Sequence, residues 1–228
     1  LGAFCLTEPH VGSDASALRT TATKQGDHYV INGVKQFITS GKNGHMAIVI
    51  AVTDKTAGKK GLSAFIVPTD NPGYQVARLE EKLGQHSSDT AQINFEACAI
   101  PAANLIGGVE GQGFFQATGG LELGRINVAS RGVGLAEGSL RLAGSYAQVR
   151  ETMGKPICEH QAIQLKIGEM VTRARAARLL TLDAADSYDR GEIWKRGWQS
   201  ISHPKPQFAT AKKPCEFTAA TPIQKNTK

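Results

Sequence analysis

The sequence predicts an α+β chain. An antiparallel, β-barrel-like domain covers residues 1–110 and long helices of a bundle cover residues 111–192. Three observations lead there. Up to residue 107, β-rich runs alternate with Gly, Asn and Asp turn signals every ~8–12 residues, the spacing of a small barrel or sandwich. From Phe114 to Arg150 the chain is rich in Ala, Gly and Leu and free of proline. Beyond Pro156, apolar residues recur at three- and four-residue steps.

The strands follow in order. Tyr29-Val30-Ile31, then Asn32-Gly33, then Val34 to Thr39 predicts a hairpin turning at Asn-Gly. His45–Val52 and Leu62–Val67 are further strands, separated by a Lys/Gly-rich loop at 54–61. Tyr74–Lys82 and Thr90–Phe95 complete the set. The first helix is expected over Phe114–Arg150 and is broken by Pro156. A second runs from near His160 toward Asp189, with Ile163, Ile167, Met170, Val171, Ala174, Ala177 and Leu182 as its apolar positions. Met170 and the leucines read as core. Helices this long without capping signals imply a bundle.

Composition excludes several classes. No apolar run is long enough for a membrane span, and no basic-then-apolar leader opens the chain. The first residue is Leu rather than Met, which predicts a fragment. Cys5, Cys98, Cys158 and Cys215 lie far apart, as free and mostly buried thiols would. Cys158-Glu159-His160 is too compressed for one zinc site, so no metal is expected. The net charge is +6, but residues 193–228 hold seven basic residues and one acid, and residues 1–192 are balanced. No basic face for nucleic acid is therefore built into the fold. The segment 193–228 also holds Trp194, Trp198 and four of nine prolines without periodicity, the composition of a disordered tail.

The opening run Cys5-Leu6-Thr7-Glu8-Pro9-His10-Val11-Gly12-Ser13-Asp14 gathers two hydroxyls, a glycine and several amides in one tight turn. An ordinary polar turn capped by Asp14 would use the same residues. Further motifs follow in order: Asn32-Gly33-Val34-Lys35-Gln36-Phe37-Ile38-Thr39-Ser40-Gly41, then Leu83-Gly84-Gln85-His86-Ser87-Ser88-Asp89-Thr90. Arg150-Glu151-Thr152-Met153-Gly154-Lys155-Pro156-Ile157 and Glu159-His160-Gln161-Ala162-Ile163 come next. Together they resemble the acyl-CoA dehydrogenase family across residues 1–192.

The resemblance implies the family's middle β domain at 1–110 and the first two helices of a truncated four-helix bundle at 111–192. It implies FAD as cofactor, an acyl-CoA as substrate, an electron-transfer flavoprotein as acceptor, and a homo-oligomer, dimer or tetramer. Leu6 and Thr7 then supply amide and hydroxyl donors to the flavin edge, and Ser13 contacts flavin and substrate. Phe37 packs on the ring and Thr39 sits near it; Phe37 as strand core and Thr39 as a plain β-former are the alternatives. Arg150, Thr152, His160 and Gln161 match residues holding the FAD of a partner subunit, Arg150 by a charge-assisted phosphate contact. Alternatively, Arg150 is a solvated helix-end cation. Glu122 and Arg125 lie where the family contacts acyl chain and CoA, although Arg125 can equally face a helix neighbour. Gly124 stands where some members carry their catalytic base, so no residue is assigned that role. Residues 192–207, read in a frame displaced by one nucleotide, permit DLEAGMAKYFASEAA, and 214–228 permit LRIHGGYAYTKEYE. Both strings resemble the family's C-terminal domain, so the tail is expected to be frame-displaced.

Val11 replaces the small residue usual before Gly12-Ser13, and is expected to reshape the turn. Missing helices are expected to leave apolar faces uncovered. An acyl-CoA oxidase, passing electrons to oxygen, fits the same residues. So does a non-catalytic remnant that binds acyl-CoA. The compartment implied is the cytoplasm of a bacterium or a mitochondrial matrix.

Overall fold

A computed structural model describes residues 1–192, so the tail and Cys215 lie outside the described residues. Its strands are β1 (Gly2–Cys5), β2 (Thr21–Gln25), β3 (His28–Thr39), β4 (Met46–Val52), β5 (Leu62–Pro68), β6 (Tyr74–Leu79) and β7 (Thr90–Pro101). Helix α1 (Gly113–Val149) follows, then a short hairpin of β8 (Glu151–Thr152) and β9 (Lys155–Pro156), then helix α2 (Gln161–Asp189). The described chain divides into two compact units, residues 1–120 and 121–192.

In the first unit the sheet order is β1-β4-β2-β3-β7-β6, with β5 also pairing β4. The barrel-like β domain followed by two long helices is as expected. The sheet is mixed, because β1 runs parallel to β4 and β2 meets β4 in parallel at Thr21 and Val52. The remaining pairs are antiparallel. Alternation along the strands puts Tyr29, Ile31, Val49, Phe65, Ile93 and Ile100 into one core, each at most 1% exposed. The Tyr29 and Phe65 rings meet at 4.9 Å, and the Tyr29 hydroxyl donates to Glu110.

The expected hairpin at Asn32-Gly33 is corrected by the structure. β3 runs straight through both residues, and the chain reverses at Gly26-Asp27 between β2 and β3. A register shift in the β3–β7 ladder falls between Ile31 and Gly33, and Asn32 Oδ1 accepts from the Ala97 amide at 2.8 Å. Gly33 has φ +149°, and a Cβ there would lie 2.5 Å from Thr20 Oγ1 and 2.7 Å from Thr20 Cα. The glycine serves a bulge and a close backbone approach, not a turn.

In the second unit, α2 follows the expected three- and four-residue pattern only in part. Ala174 is buried and Ile163, Ile167, Met170 and Ala177 are half-buried, whereas Val171 and Leu182 are exposed. On α1, Leu135, Leu142 and Val149 recur every seven residues and are about three-quarters exposed. Leu165 and Leu179 of α2 are two-thirds exposed. Apolar helix faces are thus uncovered, as expected. No described helix is long and apolar enough to cross a membrane.

Replacing Gly33 with Val should destabilise the chain by about 1–3 kcal/mol, since the added carbons meet Thr20 backbone that cannot swing aside. Urea unfolding midpoints of the two proteins measure this.

Candidate functional site

The opening turn is clipped shut by itself. Glu8 N–H donates to Val11 O at 2.9 Å and Val11 N–H returns to Glu8 O at 3.1 Å. The Val11 side chain is buried in an apolar cluster with Leu18, Ile50 and Leu62, so its methyl groups join the core.

β3 then holds the turn through two consecutive residues. Lys35 Nζ donates to Leu6 O at 3.0 Å, and Gln36 N–H donates to Thr7 O at 2.8 Å. Lys35 Nζ also reaches Glu8 Oε1 at 2.9 Å. Both ionised side chains are out of solvent, at 0% and 1% exposure. The Glu8 carboxylate further accepts from the Arg19 amide at 2.8 Å and the Thr20 amide at 3.0 Å. His10 Nε2 lies 3.6 Å from it. Burial pushes the Glu8 carboxyl up, but Lys35 and the Thr20 hydrogen bonds outweigh it and hold its pKa below the ordinary value of 4.5. For Lys35, burial wins over the pull of Glu8 and lowers the pKa from 10.5.

Immediately after these anchors the strand is irregular. The β3–β7 register shifts again between Lys35 and Ile38. Phe37 inside that bulge has φ 59°, a strained region for a bulky residue. The bulge leaves Phe37 41% exposed although both neighbours are buried, so it is not strand core. Thr39 is exposed two residues on. Leu6, Thr7, Phe37 and Thr39 are therefore brought together, with Ser13 just past the clipped turn. Among the described residues, the hydroxyls of Thr7, Ser13 and Thr39 form no hydrogen bond with the protein. Three open hydroxyls and an exposed aromatic face fit a polar-edged planar ring.

The Leu83–Thr90 motif is tied to the same strand end. Asp89 accepts from the Lys42 amide at 2.8 Å and from Asn43 Nδ2 at 3.1 Å, and its carbonyl accepts from the Ser40 amide. An open groove of about 460 Å³ lies along this loop, lined by residues including Asn43, Glu80, Lys82, His86 and Asp89. None of Leu6, Thr7, Ser13, Phe37 and Thr39 lines it. It adjoins them through the β3–β7 ladder, where its lining residue Thr90 pairs with Thr39, and through Gln36 Nε2, 3.4 Å from Glu80 Oε1.

In the second unit, the hairpin between the helices gathers another set. Met153 (φ 53°) and Gly154 (φ 76°) make the two-residue turn. Ile157 N–H donates to Arg150 O at 2.8 Å. Thr152 Oγ1 and His160 Nε2 are 3.1 Å apart, and His160 caps α2 just before Gln161. Arg150, Thr152, His160 and Gln161 are thus together, and the Arg150 guanidinium has no ion pair among the described residues. Glu122 and Arg125 share a face of α1, three residues apart, and open space lies where Gly124 would carry a side chain.

Residues 3–98 match the acyl-CoA dehydrogenase middle domain, and residues 111–212 match the acyl-CoA dehydrogenase C-terminal domain. The chain belongs to the acyl-CoA dehydrogenase family. It is 47% identical over 191 residues to an acyl-CoA dehydrogenase of Bacillus subtilis (strain 168), covering 84% of this chain and 50% of that protein. Butyryl-CoA dehydrogenase from Megasphaera elsdenii superposes with TM-score 0.84 at 39% identity, over 96% of this chain and 55% of that one. A chain in a structure of the electron transferring flavoprotein of Acidaminococcus fermentans superposes with TM-score 0.84 at 41% identity, over 96% and 55%. This family member thus spans about half the length of the curated relatives it matches.

Sequence reasoning missed Glu8, Lys35 and Asp89 as the residues that assemble the site. Glu8 and Lys35 lie inside two of the motifs, but nothing local in the sequence marks either charge as buried. The described cysteines are free, with Cys5 and Cys98 buried and Cys158 half-buried. Burial pushes Cys5 up to about 12 and Cys98 to about 11, which leaves neither as a thiolate nucleophile. Among the described residues no His, Cys, Asp and Glu cluster could hold a metal ion.

Glu8→Gln should cost about 3–5 kcal/mol because it strands the buried Lys35 charge. Adding Lys35→Met should recover most of that. Since the folded Glu8 pKa lies below 4.5, its stabilisation is complete above that pH and is lost as pH falls through the folded value. The double variant should lose this part of the acid sensitivity. Urea midpoints between neutral pH and pH ~3 check both statements.

Proposed function

We propose that the intact protein carries out FAD-dependent α,β-dehydrogenation of an acyl-CoA thioester. The observation that carries this reading is Phe37, exposed and strained in its bulge, beside Thr39 and the Leu6–Thr7 turn with their open hydroxyls. Bound FAD supplies the hydride-accepting chemistry. The chain's own residues do the rest. Leu6, Thr7 and Ser13 present donors where negative charge develops, which lowers its energy as an oxyanion hole does. Phe37 and Thr39 fix the plane of the ring and exclude water from one side. Ser13, Glu122 and Arg125 orient the acyl-CoA.

Arg150, Thr152, His160 and Gln161 hold the dinucleotide of a second subunit, with Arg150 neutralising phosphate. A homo-oligomer, dimer or tetramer, is therefore part of the proposal. Gly124 carries no side chain, so the proton-abstracting base is not supplied at that position. Likeness to a chain from a structure described as an electron transferring flavoprotein supports such a protein as the electron acceptor. The Bacillus subtilis relative supports a bacterial cytoplasm, and similarity to a short-chain specific acyl-CoA dehydrogenase of Rattus norvegicus named as mitochondrial supports a mitochondrial matrix. Residues 1–110 act as the middle β domain and 111–192 as the start of the helical domain.

The test is spectroscopic. Purified protein should take up FAD, and butyryl-CoA added without oxygen should bleach the visible flavin band. A protein that takes up no flavin refutes the reading, as does a band that no acyl-CoA changes. Arg150→Ala should weaken FAD binding about tenfold or more, the usual loss for a charged hydrogen bond, as measured by quenching of flavin fluorescence.

A further inference from the structure

The carbonyl that Lys35 grips belongs to the same peptide unit as the Thr7 amide. Lys35 Nζ lies 3.0 Å from Leu6 O. On the other side of that peptide bond, Thr7 N–H has no backbone acceptor among the described residues. A cation bonded to a carbonyl draws electron density from its peptide nitrogen and makes the N–H a stronger donor. Water does not dilute the effect, because Lys35 is fully buried. Glu8 offsets part of this field, but the ammonium still bonds Leu6 O directly. The Glu8 carboxylate is engaged by the Arg19 and Thr20 amides, which leaves the ammonium directed at both Glu8 and Leu6 O.

We propose that Lys35 is a positioning residue of the flavin site, acting through the Leu6–Thr7 peptide to make Thr7 N–H a charge-assisted donor to the ring. This rests on the flavin reading above and extends it to a residue that touches neither cofactor nor substrate. Glu8 is the second member of the device. It keeps the ammonium charged inside the core and holds it at its place.

Such a donor favours the form of the ring that carries more negative charge, which is the reduced one. Neutralising the pair should then weaken binding of reduced flavin more than of oxidised flavin. Charge-assisted hydrogen bonds are about twice as strong as neutral ones, which sets the differential at about tenfold. For a two-electron couple that is a fall of ~30 mV in midpoint potential.

The measurement is the midpoint potential of the flavin-loaded protein, wild type against Glu8→Gln/Lys35→Met. A more negative potential in a variant that still binds oxidised FAD supports the proposal, and an unchanged potential overturns it. A purely structural pair would change stability and leave the potential alone. Wild-type protein that takes up no flavin fails the flavin reading itself, and the proposal falls with it by a visibly different result.

If the double variant does not fold, wild-type protein labelled with carbon-13 serves instead. Glu8, at 2.9 Å, and Cys5 are the ionisable groups that bear on Lys35, with His10 behind Glu8. Raising the pH should move the Leu6 carbonyl resonance in step with the Lys35 Cε resonance. A Leu6 carbonyl that stays still while Lys35 titrates overturns the proposal.

Discussion

A single buried ion pair holds the candidate site together. Lys35 and Glu8 come from segments 27 residues apart, and each is worth little without the other. Removing either from water costs several kcal/mol, and only the dense set of bonds around them makes that tolerable. Those bonds have a geometric result. They fix Leu6 and Thr7 against the strand that carries Phe37 and Thr39, so a loop and a sheet share one surface. Hydrophobic packing alone would not set that register, because it is indifferent to small slides, whereas a lysine bonded to two named oxygens is not.

The irregularities of β3 serve the same end. With Lys35 facing inward, unbroken alternation would turn Gln36 outward and send Phe37 into the core. The shift between Lys35 and Ile38 breaks the alternation once. Lys35, Gln36 and Ile38 then all face inward and Phe37 alone stands out. The earlier shift at Gly33 lets the strand pass close over Thr20. Lys35 and Gln36, the β3 residues that bind the turn, lie between or within these two shifts, so β3 is irregular where it builds the site.

Much of this was legible in the residues. Strands at 45–52, 62–67 and 74–82, and helices at 114–150 and 160–189, fell within a few residues of their observed bounds, since hydrophobic periodicity reports local packing directly. Asn32-Gly33 misled because the dipeptide suits a bulge as well as a turn, and only Thr20, distant in sequence, decides between them. The parallel pairing of β1 with β4 was equally invisible, being set by tertiary contact. Within the site, Leu6, Thr7, Phe37 and Thr39 were recognisable from their motifs. The Lys35–Glu8 pair was not, because nothing local distinguishes a buried lysine from a solvated one.

The left-handed backbone at Phe37 has a consequence for the timing of recognition. Its strain is present in the folded chain whether or not a ligand is near, and the surrounding ladder keeps the residue from relaxing. The cost of orienting the aromatic group is thus charged to folding rather than to association. A flat ligand of the kind proposed would meet a surface already arranged and lose little freedom to it.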